Sequence, residues 1–298
     1  MLAIVIPYYK LSSFEATLKS LALQSDQRFK VYIGNDASTE NPETLLDTYK
    51  SQLDIVYHKF STNLGGTSLV KQWDRCINLI ADETWLMILG DDDYLGEHVV
   101  KTFYEQYNSF KTKANVVRFA SQMVFDTTNT KSKVYTHPVW EDAITSHMRK
   151  YDGASRSSLS EHIFKTESYK KQGFVNYPLA WFSDDKAWID FSENKPIYTI
   201  NDSMVYIRVS NESISGKKSN IGLKQESAIQ FYRNVIDEKS QEYPKALRLR
   251  LFLIYEIIIK RKRKLVKQEW QFLFKKYVQN FSLIPFLKLI RRILVSKK

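Results

Sequence analysis

The N-terminal third alternates between short apolar runs and segments whose apolar residues recur at helical spacing. "LAIVIPYY" is an apolar run stopped at Pro7, and "SSFEATLKSLALQS" then sets Phe14, Leu18 and Leu21 on one helical face behind Ser12 or Ser13 as N-cap. "FKVYIGNDAS" and "LDIVYHKF" read as further strands, separated by "NPETLLDTYKSQ", a helix with Pro42 near its start. "LVKQWDRCINLIA" is helical again, "WLMILG" is a fourth strand, and "EHVVKTFYEQYNSF" a fourth helix. Strand and helix alternating at this spacing predict an α/β fold, with a Rossmann-like, mostly parallel central sheet flanked by helices.

From about Lys113 the rhythm changes. "ANVVRFASQMVFD" and "KSKVYTHPV" read as strands, "EDAITSHMRKYDGASRSSLS" as loop and short helix, and "PIYTINDSMVYIRVS" as a strand pair turning at Asn201 and Asp202. Beyond Ile221 nearly everything reads as helix, so the predicted organisation is a domain over 1–220 and a basic helical extension over 221–298.

Charge sharpens that division. The chain of 298 residues carries a net +11, yet from Lys245 onward sixteen Lys and Arg face only Glu256 and Glu269, leaving the preceding residues slightly acidic. A hydrophobic content of 43% supports one large core or two moderate ones. The single cysteine, Cys76, excludes an internal disulfide and fits a reducing compartment. Met1 leads into an apolar run with no basic region before it, which predicts neither a secretory leader nor a membrane segment.

In an open parallel sheet, ligands bind beyond the carboxyl ends of the strands. The first strand delivers Pro7, Tyr8 and Tyr9, and the second Asn35, Asp36 and Ser38. The third precedes Asn63, Gly65 and Gly66, and the fourth runs into Asp91, Asp92 and Asp93. Each alone is ordinary turn chemistry; their recurrence at successive strand ends points to a nucleotide site. Three adjacent carboxylates repel one another unless water, a cation or donors compensate. Hard divalent ions such as Mg²⁺ or Mn²⁺ suit them, with phosphate oxygens completing the shell. A solvated turn is the alternative. The sequence holds no Cys/His cluster for zinc, no GxxxxGK[ST] loop and no GxGxxG after the first strand, which weighs against P-loop and dinucleotide-binding readings.

The ordered series "IVIPYY", "GNDAS", "NLGG", "LGDDDYL" and "SDDKAW" resembles the family 2 glycosyltransferases, enzymes of GT-A fold, over roughly the first 215 residues. The resemblance implies a nucleotide-sugar donor, most commonly a uridine one, and a divalent metal at the acidic triplet. It assigns nucleobase contacts to Pro7, Tyr8 and Asp36, with Tyr9, Asn63 and Gly65 beside them, and donor contact to Asp91. Asp92 and Asp93 are the favoured metal ligands, although the assignment within the triplet stays open. The family's usual first acid of that motif is Gly90 here, and its frequent Arg-Asn pair is Val70-Lys71. Asp185, second of the pair Asp184-Asp185, matches the usual catalytic base of an inverting transferase. Trp181 and Phe182 offer an apolar wall, and Arg208, in "YIRVSNESIS", matches an arginine that reaches the diphosphate. Ser210 stands where a histidine is frequent. The five histidines show no ligand spacing.

The implied acceptor is a hydroxyl of a glycan or lipid-linked glycan in surface polysaccharide assembly. The implied location is cytoplasmic, at the inner face of the membrane. In the tail, Phe281, Ile284, Leu287 and Ile290 share helical spacing, as do Trp270, Phe274 and Tyr277. Two readings stand side by side: a basic amphipathic helix on an anionic membrane, or a cap whose apolar face packs on the domain. Competing functions are a non-catalytic GT-A-like partner subunit and a nucleic-acid-binding tail. The latter lacks any recognised module, so no nucleic acid is expected.

Overall fold

Leu2–Tyr8 forms strand β1, and Leu2 to Ile6 are completely buried, as a strand covered on both faces requires. The computed structural model describes residues 1–211, 213–217 and 219–296. Glu212 of "YIRVSNESIS" and the last two tail residues, Lys297 and Lys298, lie outside them. The chain divides into two units, one of residues 1–176 with 183–217 and one of 177–182 with the chain from 218 onward.

In the first unit β1 is followed by α1 (Phe14–Ala22), β2 (Phe29–Asn35), α2 (Glu43–Tyr49), β3 (Ile55–Lys59), α3 (Leu69–Ile77) and β4 (Trp85–Ile88). These four strands are parallel in the order β3-β2-β1-β4. The register pairs Tyr8 with Asn35 and Asn35 with Lys59, while Leu89 follows β4 with its N–H on Val5 O at 2.9 Å. Their carboxyl ends therefore open onto one edge, and β1 lies where the order reverses, the crevice such sheets use for ligands.

The chain continues through β5 (Tyr94–Leu95), α4 (Val99–Glu105), α5 (Tyr107–Phe110), β6 (Val116–Phe125), β7 (Thr130–Lys131), β8 (Trp140–Glu141) and α6 (Ala143–Tyr151). Then come β9 (His162–Lys165), α7 (Thr166–Gln172), α8 (Ser183–Phe191) and β10 (Ile197–Val209). The sheet extends as β4-β9-β6-β10-β5, with β9 antiparallel to both neighbours and β6 parallel to β10. Two expectations are corrected. "KSKVYTHPV" supplies only the end of β7 and an isolated bridge from Tyr135 to Ser121, since Val134 and Val139 are exposed and have no sheet face to cover. "PIYTINDSMVYIRVS" is one strand, not a pair. Its register shifts between Ile200 and Met204, because Asn201 exchanges hydrogen bonds with the His137 backbone and Asp202 accepts from Gln106, making a bulge rather than a turn.

The second unit holds α9 (Ile221–Asn234), α10 (Lys245–Lys262), α11 (Lys267–Gln279) and α12 (Leu283–Ser296). It also takes in residues 177–182. Phe182 stacks on Phe231 with centroids 4.8 Å apart, Asn234 donates to the Tyr177 hydroxyl, and Ser227 Oγ donates to Pro178 O. Among the described residues no helix is long and apolar enough to cross a membrane. Leu289 is the fully buried residue of α12, while of the stripe picked out by spacing Phe281, Ile284 and Leu287 are exposed and Ile290 is half-buried.

Candidate active site

A strand sends successive side chains to opposite faces, and β1 shows it at its end. Tyr8 turns into the core against Phe14, with its hydroxyl donating to Glu40 O at 2.9 Å, and burial pushes its phenol upward. Pro7 is half-buried and Tyr9 is 44% exposed, so it is these two that line the edge.

After β2, Asp36 is buried and committed. Its carboxylate accepts from Leu64 N–H at 2.6 Å and Gly65 N–H at 2.8 Å, and it pairs with Arg75. The left-handed backbone at Ala37 (φ 53°) is a strained turn of the kind found at ligand sites. Asn63 accepts from Gly66 N–H at 2.6 Å, so Asn63, Gly65 and Asp36 form one framework joining the loops after β2 and β3. A Cβ on Gly65 would lie 2.5 Å from Asp36 Oδ2. Gly65→Ala is therefore expected to destabilise the fold by about 1–3 kcal/mol, the usual range for overpacking; a urea melt indistinguishable from wild type would refute this. Arg75, from α3, was not singled out by sequence. Its guanidinium lies 3.9 Å from the centre of the Phe60 ring and also donates to Thr62 O.

The acidic triplet is divided in its tasks. Asp91 Oδ2 accepts from the N–H groups of Tyr9 and Lys10 at 2.7 and 2.8 Å, tying the loop after β1 to the triplet. Asp93 is buried, with one oxygen on Ser160 Oγ and the other on Arg208 N–H at 2.9 Å. Thr17 Oγ1 donates to the carbonyls of both Asp91 and Asp93. Asp92 is half-buried, and among the described residues no other side chain donates to its carboxylate or pairs with it. A Cβ on Gly90 would sit 3.0 Å from both the Asp92 and Asp93 carboxylates, which accounts for glycine at this crowded corner. Arg208 holds Asp93 through its backbone; its guanidinium donates to Ser13 Oγ at 3.2 Å and faces a cavity of 400 Å³ beside Tyr94 and Lys19.

The second acidic pair opens α8. Asp185 is buried and ion-paired with Lys150 from the last turn of α6, while Asp184 is half-buried. Burial lowers the Lys150 ammonium, but Asp185 and Asp184 outweigh it and the net shift is upward. Between the two acidic clusters lies the ion pair Arg156–Glu161. Glu161 raises both Asp93 and Asp184, and Arg156 lowers Asp93. Ser160, Glu161, Arg156 and Lys150 were all missed by sequence reasoning, which read "EDAITSHMRKYDGASRSSLS" as loop and short helix with no chemistry assigned to it or to Glu161 just after it.

Burial above all pushes Asp92 to about 8, Asp93 to about 6 and Asp184 to about 7, helped by Asp93 and Asp91 at Asp92, by Glu161 at Asp93 and by Asp185 at Asp184. Each acid then binds protons in the folded state above its unfolded value near 3.8, a contribution lost as pH rises. Three buried histidines act in the opposite sense. Burial depresses His137 to about 2, His147 to about 3 and His162 to about 4, so their contribution grows until pH passes the ordinary value of 6.5. The two sets offset each other at mildly acid pH, and Asp92 and Asp184 are left uncompensated between 6.5 and about 8. Stability measured without divalent ions should fall across that interval; a rise would contradict the assignment.

A hard cation fits this corner. One carboxylate is unengaged, its neighbours are held as oxygen donors on a rigid strand end, and the cluster carries excess negative charge. Among the described residues no group of three or more His, Cys, Asp or Glu is placed to hold a metal ion, so the triplet would supply one or two ligands and a bound molecule the rest.

Comparison with known proteins agrees with this architecture. A glycosyltransferase of Streptococcus pneumoniae serotype 4, GlyG, is 21% identical over 247 residues, covering 81% of this chain and 79% of that protein. The crystal structure of Staphylococcus aureus TarS residues 1–349 in complex with UDP-GlcNAc superposes with a TM-score of 0.68 at 16% identity, covering 94% of this chain and 81% of that one. The same TarS fragment with UDP gives a TM-score of 0.62, also at 16% identity, over 94% of this chain and 80% of that one. The fold is thus of GT-A type, with a helical C-terminal part. Residues 3–170 match the family model described as Glycosyl transferase family 2, and the chain belongs to that family.

Proposed function

We propose that the protein is an inverting, metal-dependent glycosyltransferase that moves a sugar from a UDP-sugar to a hydroxyl of a glycan or lipid-linked glycan in surface polysaccharide synthesis. The observation that carries this reading is the division within the triplet: Asp91 and Asp93 are fixed by donors while the Asp92 carboxylate is left available. The TarS complexes with UDP-GlcNAc and UDP support a uridine donor. Tyr9 and Pro7 line the place for the base, framed by Asp36 and Arg75, and Asp91 fixes the loop that carries Tyr9. Mg²⁺ or Mn²⁺ at Asp92, with Asp93 behind it, would neutralise charge on the departing diphosphate. Asp185 takes the acceptor's proton as that oxygen attacks, and Lys150 positions it.

Ligand that binds only the folded state raises stability. UDP is expected to raise the melting temperature more with Mn²⁺ than without, and Asp92→Ala should lose that increment while keeping the metal-independent part. An increment that survives in Asp92→Ala would remove the metal from this site. Binding with no turnover of any UDP-sugar would favour the partner-subunit reading. The acceptor is reached from the inner membrane surface, to which the basic tail attaches the enzyme.

A further inference from the structure

The second unit contains a cavity of 640 Å³ where the α10–α11 connection meets α12. Six cationic side chains line it and no acidic one does: Lys260, Arg263, Lys264, Lys288, Arg291 and Arg292. Three of the six are fixed by buried carboxylates. Lys260 and Arg292 share Glu256, and Arg263 grips Glu269 through two nitrogens at 2.7 and 2.8 Å. No acidic partner is found for Lys264, Lys288 or Arg291 among the described residues. A rigid cationic wall thus stands beside three uncompensated charges.

The apolar surface beside it decides what such a pocket receives. Ile284, Lys288, Arg291 and Val295 follow one another at helical spacing, so cations and exposed apolar residues share a face of α12. Ile284 is 66% exposed, Leu287 56% and Leu294 60%. A soluble phosphate or a nucleic-acid backbone would use the charges and leave this row in water. An anionic bilayer uses both, with headgroup phosphates at the cations and acyl chains against the apolar row. We infer that this pocket is a headgroup site for anionic phospholipid, and that α12 lies in the membrane interface with Ile284, Leu287 and Leu294 inward. The inference rests on the membrane-surface reading of the tail and is independent of sugar transfer.

The test is flotation of the full-length protein with vesicles of phosphatidylcholine alone and of phosphatidylcholine mixed with phosphatidylglycerol, with inorganic phosphate and duplex DNA as competitors. Wild type should float with the anionic vesicles only. The double variant Lys288→Gln with Arg291→Gln should partition roughly thirtyfold less, from about 1 kcal/mol per surface cation. Leu287→Ser with Leu294→Ser should also float less, and all variants should bind UDP like wild type, which verifies folding. Flotation of the cation variant equal to wild type would reject the pocket yet keep the membrane reading. Failure of wild type to float with any vesicle would reject both. Displacement from vesicles by phosphate or DNA at low concentration, with the leucine variant unaffected, would reassign the pocket to a soluble polyanion.

Discussion

Asp185→Asn should lower sugar transfer by roughly 10²- to 10⁴-fold, the contribution of a positioned general base, while leaving UDP affinity unchanged. The amide keeps the shape at the start of α8 but cannot accept the acceptor's proton. Lys150 makes the test sharper. Its ammonium reaches the Asp185 carboxylate from the last turn of α6 and holds it in place. In Lys150→Met transfer should fall further than in Lys150→Arg, which keeps a cation at that position, while both variants bind UDP like wild type. Asp184 is the internal control. It is half-buried and pushed up to about 7 by burial first and then by Asp185. Transfer retained in Asp185→Asn and lost in Asp184→Asn would hand the role of base to Asp184.

What was legible in the sequence was whatever a local pattern enforces. Strands β1, β2 and β4 are apolar runs closed by polar residues and buried on both faces, with β3 a half-buried strand at the sheet edge beside them, so the parallel half of the sheet and the edge bearing Asp36 and Asp91–Asp93 could be located. The orientation of individual residues was not legible where two neighbours shared a strand end. Pro7 and Tyr8 cannot both face a ligand, and the pairing of Tyr8 with Phe14 inside the core decides the matter. The support of the triplet was also hidden. Ser160 and Arg208 reach Asp93 from 67 and 115 residues away, and nothing local in "SSLSE" or "YIRVS" announces that. In the tail, spacing identified an apolar stripe but not its direction. α12 buries Leu289 and leaves Ile284 and Leu287 exposed, a direction that periodicity alone does not fix.

The largest effect on stability is expected at Glu141, a residue with no part in the chemistry. Arg118 sits in "VVRFA", where alternation suggests a solvent-facing position, yet it is 2% exposed. Glu141 answers its charge at 2.9 Å and also accepts from Arg149 at 2.8 Å, while Ser146 and Thr199 take other guanidinium hydrogens. Burial alone would raise the Glu141 carboxyl, but the hydrogen bonds from Arg149 and Arg118 prevail and hold it below the usual range. Its contribution is thus present above pH 4.5 and lost as pH falls through the depressed value. Removing one partner strands a buried charge, so Glu141→Gln should cost about 3–5 kcal/mol in urea unfolding at neutral pH, and the difference from wild type should shrink in acid. Arg149 is also the neighbour of Lys150 on α6. The clamp on Glu141 therefore holds the turn that presents Lys150 to Asp185, and Glu141→Gln should slow transfer even at temperatures where the variant stays folded. A variant as stable as wild type, or an unstable one with undiminished turnover, would separate the buried ion cluster from the base it is argued to support.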